Sequence, residues 1–221
     1  MNKKLINWIG LAGILSFISY LSATIFAPMA FPGYDWMSQA VSDLSAETAP
    51  SRMLWERISA FYNVGGIVCI TCVSIFISEN KVGTKLFRTG LYMFNIMELI
   101  SCVGFKMFPL VNAGKDIASF QEIMHMVITA LVVILSIASL TVLIVAGAKD
   151  KRLRNVGTIA AVALSMMFIG ALGTAAIQNG ALPQSCFGIV ERFSLFSATG
   201  FNAVMGLFLF DGFKKVSAKA A

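Results

Sequence analysis

Residues 126–147 read MVITALVVILSIASLTVLIVAG, 22 consecutive positions without an ionisable side chain. As a helix rising 1.5 Å per residue the stretch is about 33 Å long, close to the roughly 30 Å hydrocarbon thickness of a bilayer. It is preceded by Glu122 and His125 and followed by Lys149, Lys151, Arg152 and Arg154. Read as a membrane-crossing helix, this stretch sets the terms for the rest of the chain.

Five further runs have the same character. The expected spans are about 5–29, 53–78, 86–108, 119–147, 156–178 and 187–211, joined by mostly short connections. Together they fill nearly all of the 221 residues as one all-α, polytopic bundle of six transmembrane helices, a single domain over 1–221. Composition agrees: 57% of residues are hydrophobic and 13% charged, against about 25% charged in ordinary soluble domains. The mean hydropathy is +0.80. The first run follows Lys3 and Lys4 as a signal peptide would, but it continues to about Met29. A signal-peptide core is about 7–15 residues long, so the run is expected to be a retained first helix.

The basic residues give the expected direction. Lys3 and Lys4; Lys81, Lys85 and Arg88; Lys149, Lys151, Arg152 and Arg154; and Lys214, Lys215 and Lys219 lie beside alternate ends of the runs. These are twelve of the seventeen Lys and Arg residues; Arg52, Arg57, Lys106, Lys115 and Arg192 lie toward the other side. Positive charge is retained on the cytoplasmic side, which predicts a multi-pass cell-membrane protein with both termini cytoplasmic. The net charge of +6 is thereby explained without nucleic acid, for which no basic stripe with interleaved aromatics exists. Cys69, Cys72, Cys102 and Cys186 form neither a zinc ribbon nor a dense disulfide framework. They read as small buried hydrophobes, and the sequence leaves open whether Cys102 and Cys186 pair.

The first outer loop, Ala30 to Arg52, is the one long connection. Trp36, Met37, Ala40, Val41 and Leu44 follow helical spacing, which predicts a short interfacial helix, folded over the helix ends or anchored at headgroup level by Trp36. A weak echo also appears: Glu56-Arg57-Ile58-Ser59-Ala60-Phe61 and Glu191-Arg192-Phe193-Ser194-Leu195-Phe196 both fit Glu-Arg-x-Ser-x-Phe. Similar helix lengths explain it as well as duplication does.

Eight ionisable side chains stand at or inside the outer ends: Glu56 and Arg57, Glu98 and Lys106, Glu122 and His125, Glu191 and Arg192. Asp35 and Asp43 lie in the loop above them. Glu56, Glu122 and Glu191 are expected in first turns of helices, where a carboxylate interacts favourably with the helix dipole. Ser119-Phe120-Gln121-Glu122 fits a capping box. Glu98 has no such explanation, being 12 residues past the start of its run and so about 18 Å into the hydrocarbon. An acid at that depth must pair, take up a proton or face a wet cavity. Asn95, Glu98, Cys102 and Lys106 share one stripe of the third helix, while Glu56, Ser59 and Asn63 share a face of the second.

Glu122 and His125 have the Glu-x-x-His spacing of four-helix metal sites, but only one copy exists and His125 is the sole histidine. No metal is therefore expected. His125 and Glu122 are instead candidate catalytic groups, since imidazole suits acid–base work. No phosphate loop, dinucleotide fingerprint, haem attachment or Gly-x-Ser-x-Gly sequence occurs, so no cofactor is expected.

The stretch Ser38-Gln39-Ala40-Val41-Ser42-Asp43-Leu44, His125, and Glu191-Arg192 resemble the uncharacterised bacterial membrane family called domain of unknown function 998. The resemblance covers nearly the whole chain and implies a six-helix integral membrane protein; it assigns no activity. From the residues, the expected function is an outward-facing polar pocket that binds, or transports, a polar small molecule or lipid headgroup. Glu98 would be its central acid, with Asn95, Glu56, Asn63, His125, Glu191, Arg192, Lys106 and Asp43 as candidate ligand-binding residues. The fifth helix carries few polar groups, which favours binding over transport. Two alternatives stand beside it: a membrane-embedded enzyme acting on an outer-leaflet lipid through His125 and glutamates, and a structural or accessory subunit.

Overall fold

The computed structural model describes residues 3–112 and 119–217; Lys115 and Lys219, counted in the charge bias, lie outside the described residues. Six helical segments are long and apolar enough to cross a membrane: Leu5–Ala30, Arg52–Glu79, Lys85–Met107, Phe120–Lys149, Lys151–Gln178 and Gln184–Phe210. They are spans one to six below. The fifth starts earlier than the apolar pattern placed it, because Asp150 caps a 3-10 turn at Lys151–Leu153. Its carboxylate accepts from the Arg152 backbone at 3.0 Å and from the guanidinium at 2.6 and 3.1 Å. Those bonds hold the Asp150 carboxyl below the usual carboxylate range.

Consecutive spans pack on one another, and the sixth returns against the first and also lies on the second. Six alternating helices bring both termini to one end of the bundle, the terminal end; the loop between spans one and two covers the other, capped end. The core between the ends is aromatic and aliphatic, with Phe94 and Phe201 edge to face at 5.0 Å. The outer surface is equally apolar: Phe120 is 72% exposed and Leu172 68%. That surface fits lipid, where apolar side chains need no cover.

Helices in lipid gain little from apolar burial and associate instead through close packing, for which small residues are suited. Spans one and six cross where Gly10 faces Gly206, and a Cβ on either would run into the other's carbonyl oxygen. Spans four and five meet at Gly147 and Gly157, where a Cβ on Gly157 would stand 2.9 Å from the Gly147 Cα.

Span two is broken. Its helix runs Arg52–Ile58, then Ala60–Glu79, with Ser59 between at ψ 6°. Two hydroxyls of span one attend the break: Ser19 donates to the Ile58 carbonyl at 2.7 Å and Ser16 to the Tyr62 carbonyl at 2.6 Å. Carbonyls released from a helix ladder need such donors where water is excluded.

The outer loop contains one 3-10 turn, Ser42–Ser45, in place of a longer amphipathic helix. Ala40, Val41 and Leu44 are buried against the bundle as the spacing predicted, but Trp36 is 54% and Met37 42% exposed. The loop is also stitched to the connection after span three, the Glu47 amide donating to the Leu110 carbonyl and the Thr48 amide to Val111. Backbone groups that a regular helix would use internally are given to other parts of the protein.

Gly206→Val should lower the melting temperature of the detergent-solubilised protein by about 5 °C, given about 1–3 kcal/mol for overpacking and about 2–4 °C per kcal/mol at this size. Gly200→Ala, whose added methyl meets only Phe17 at 4.0 Å, should leave it unchanged. Equal melting of both variants would contradict the close crossing of spans one and six.

Candidate functional site

Two polar nodes occupy the middle and the capped end of the bundle. At the capped end, Glu191 and Arg192 lie just inside a helix that begins at Phe187, past the first turn in which Glu191 was expected. Rather than serving its own helix end, Glu191 accepts from the Val41 amide of the outer loop at 2.6 Å. Arg192 donates to the carbonyls of Trp36 at 2.7 Å, Gln39 at 3.4 Å and Gly188 at 2.7 Å, and to the Tyr34 hydroxyl at 2.9 Å. The Tyr34 hydroxyl passes its own proton to the Ala40 carbonyl at 2.9 Å. Burial raises the Tyr34 pKa against the opposing pull of Arg192, so the phenol remains a donor.

Gly188 makes this clasp fit. A side chain there would collide with the carbonyl oxygens of Trp36 and Gln39, the same two that Arg192 gathers. The Ile189 amide adds a bond to the Met37 carbonyl at 3.2 Å. The loop is therefore fixed to span six through main-chain groups. Beneath it lies an aromatic cluster, in which Tyr20 packs on Tyr62 at 4.4 Å, Trp55 at 5.7 Å and Phe196 at 6.1 Å.

The second node is deeper. Asn202 of span six lies eleven residues beyond Glu191, about 16 Å along the helix. Its amide nitrogen donates to the Glu98 carboxylate at 3.1 Å and to the Gly66 carbonyl at 3.0 Å. Both neighbours are acceptors here, which fixes the orientation of the amide. Its oxygen is consequently buried with no hydrogen-bond partner among the described residues. Gly66 lets these groups converge: a Cβ there would stand 3.2 Å from the Ser16 hydroxyl, 3.4 Å from the Asn202 nitrogen and 3.7 Å from the second Glu98 oxygen. Four spans thus meet around one acid. Tyr62 lies within electrostatic range of Glu98 and Tyr20 within range of Glu191, so two tyrosines stand between the two carboxyl groups.

The remaining predicted residues have other neighbours. Glu122 is buried and forms the expected capping box, accepting from the Ser119 amide at 3.0 Å and hydroxyl at 2.9 Å. His125 packs on Phe105 at 5.0 Å and places Nδ1 2.9 Å from the Phe108 carbonyl. Since a carbonyl can only accept, Nδ1 is the donor in this contact. His125 thereby ties the start of span four to the end of span three. Glu56 is exposed and pairs with Arg52 at 2.9 Å, again outside a first turn. Lys106 is exposed, Asn63 half-buried, Asp43 buried within the loop's 3-10 turn, and Asn95 accepts from the Thr71 hydroxyl at 3.2 Å. All four cysteines are free thiols, Cys102 and Cys186 included. Among the described residues no group of three or more His, Cys, Asp or Glu is placed to hold a metal.

Sequence reasoning placed Glu98 and the Glu191-Arg192 pair but missed Ser16, Tyr34, Tyr62 and Gly66. The Gly65-Gly66 pair inside an apolar run was the available signal, because glycine in a membrane helix marks close approach. Arg192→Ala should raise backbone hydrogen exchange across residues 34–41 by about 10- to 100-fold, from bonds to a charged group contributing about 1.5–3 kcal/mol. Exchange mass spectrometry in nanodiscs measures this; unchanged protection would mean that Arg192 does not hold the loop.

Of the three features behind the resemblance noted in the sequence, the loop at 38–44 and Glu191-Arg192 meet in this clasp, whereas His125 lies against Phe108. Among curated proteins and among solved structures, none matches the chain significantly. The model of the family described as protein of unknown function DUF998 matches residues 14–207, and the chain belongs to that family.

Proposed function

We propose that the protein binds, within the membrane, a polar small molecule or lipid headgroup rich in hydrogen-bond donors, with Glu98 as the central acid. The observation that carries this reading is the Asn202 side chain. Its nitrogen is committed to two acceptors, and its oxygen is buried without a donor beside the Glu98 carboxylate. An unmet buried acceptor costs about 1–3 kcal/mol. A ligand that supplies N–H groups, such as a primary ammonium, answers both the acceptor and the acid. Neutral hydroxylated solutes answer the first need only.

The charge bias of the connections supports placing both termini in the cytoplasm, so that the clasped loop is the outward cover of the site. Entry from outside then requires loosening of the bonds between Arg192 and the loop. Binding is favoured over transport by the apolar character of span five. A lipid-modifying centre at His125 is less well supported, because its Nδ1 and the Glu122 carboxylate both serve helix ends.

Thermal melting of the purified protein with ethanolamine, choline or glycerol tests the reading. Ethanolamine near 100 times its Kd should stabilise by about 2.7 kcal/mol, a rise of about 5–10 °C. Choline, a cation without N–H donors, and glycerol should produce little change. Glu98→Gln should remove the ethanolamine response while the protein stays folded. An equal ethanolamine response in wild type and Glu98→Gln would take Glu98 out of the site.

A further inference from the structure

Between spans two and three, toward the terminal end, lies an open crevice of about 400 Å³ lined by Thr71, Ser74, Ile75, Ser78 and Glu79 of span two and Tyr92 and Asn95 of span three. Its polarity is unexpected for a helix pair in hydrocarbon. Each lone hydroxyl in a membrane helix can return its proton to the carbonyl four residues back, as Ser136 does to Val132 at 2.7 Å and Thr199 to Leu195 at 2.9 Å. Ser74 does not: its Oγ is buried and has no hydrogen-bond partner among the described residues. A buried hydroxyl left this way is ordinarily completed by water. The volume admits about a dozen waters at about 30 Å³ each.

The crevice points at Glu98. From Glu79 to Thr71 span two rises eight residues, about 12 Å, and from Glu79 to Gly66, beside Glu98, thirteen residues, about 20 Å. At the inner end the Thr71 hydroxyl donates to Asn95 at 3.2 Å. Asn95 lies one helical turn from Glu98 on the same face of span three. The Thr71–Asn95 pair thus lines the crevice where it comes nearest the acid. At the opposite, capped end the loop is held over the bundle by Glu191 and Arg192.

We infer that this crevice is a water-filled vestibule, open at the terminal end beside Glu79, which brings water and protons to Glu98 past the Thr71–Asn95 hydrogen bond. It supplies the acid with an aqueous connection on the side away from the loop. The vestibule stands on Ser74 and the crevice alone; only its endpoint depends on the role proposed for Glu98. Polar groups at this depth, otherwise facing hydrocarbon, gain their partners from the water column. The Thr71–Asn95 pair is the constriction that water must pass.

Two measurements on the full-length protein in membrane vesicles test this. In the first, Ser74→Cys and Val145→Cys are treated with a charged methanethiosulfonate that reacts only in water, with labelling read peptide by peptide. Val145 is an exposed residue of span four, at about the depth of Ser74 from the same end. Position 74 should label at least about tenfold faster from the terminal side; equal rates, or no labelling at 74, would overturn the vestibule. In the second, a water-soluble carbodiimide with glycine ethyl ester is applied from the terminal side, and the adduct on Glu98 is quantified in wild type and Thr71→Ala. Opening the constriction should raise Glu98 modification at least about tenfold. Labelling at 74 with unchanged Glu98 modification would make the crevice a dead end and overturn its connection to the acid. Neither readout uses ethanolamine, so a failed binding experiment leaves both results interpretable.

Discussion

The organisation of the bundle depends on one requirement: a polar group in hydrocarbon must find its partners inside the protein. Asn202 shows how far that requirement reaches. Its nitrogen joins span six to span two through the Gly66 carbonyl and to span three through Glu98. Its backbone carbonyl faces the Cys69 thiol at 3.8 Å, and the same thiol approaches the Gly10 carbonyl of span one at 3.6 Å. Cavity-free crossings at glycine and these polar links bring four helices to one point. Among the described residues the Asn202 oxygen at that point is left without a hydrogen-bond partner.

The same requirement explains the break in span two. Once Ser59 leaves the regular helix, the Tyr62 amide turns to the Ser59 carbonyl and the Ile58 carbonyl is served by the Ser19 hydroxyl instead, while Ser16 adds a bond to the Tyr62 carbonyl. The break turns Arg52–Ile58 to the surface, where Glu56 and Arg52 form an exposed pair that contributes little to stability. In span six the corresponding Glu191-Arg192 lies in an unbroken helix and faces the loop. The two Glu-Arg-x-Ser-x-Phe segments thus share letters but not roles, since helix geometry around them differs.

Much of the architecture was legible because it is encoded along the chain. Apolar length places the spans, and the Ser119–Glu122 capping box is a three-residue relation that no tertiary contact needs to supply. The depth of Glu98 could be counted from the start of its run. The partner of Glu191 could not: it is a main-chain amide 150 residues away, and backbone donors leave no trace in residue type. Trp36 illustrates the converse, since its spacing left open a face folded over the helix ends or an anchor at the surface; Arg192 takes its carbonyl while the indole is exposed. The Thr71–Asn95 crevice was invisible for a similar reason, as the stripe on span three was apparent but the matching hydroxyls of span two were dispersed through an apolar run.

The Arg192 clasp also sets an order of events during synthesis. The loop that it binds leaves the ribosome as part of the first quarter of the chain, but its guanidinium anchor appears about 150 residues later. During that interval the Trp36 carbonyl and the Val41 amide lack the partners that span six supplies, so this part of the loop stays unanchored until the last helix is made. A protein truncated before span six would keep five helices but lack both the carboxylate and the guanidinium that hold the loop.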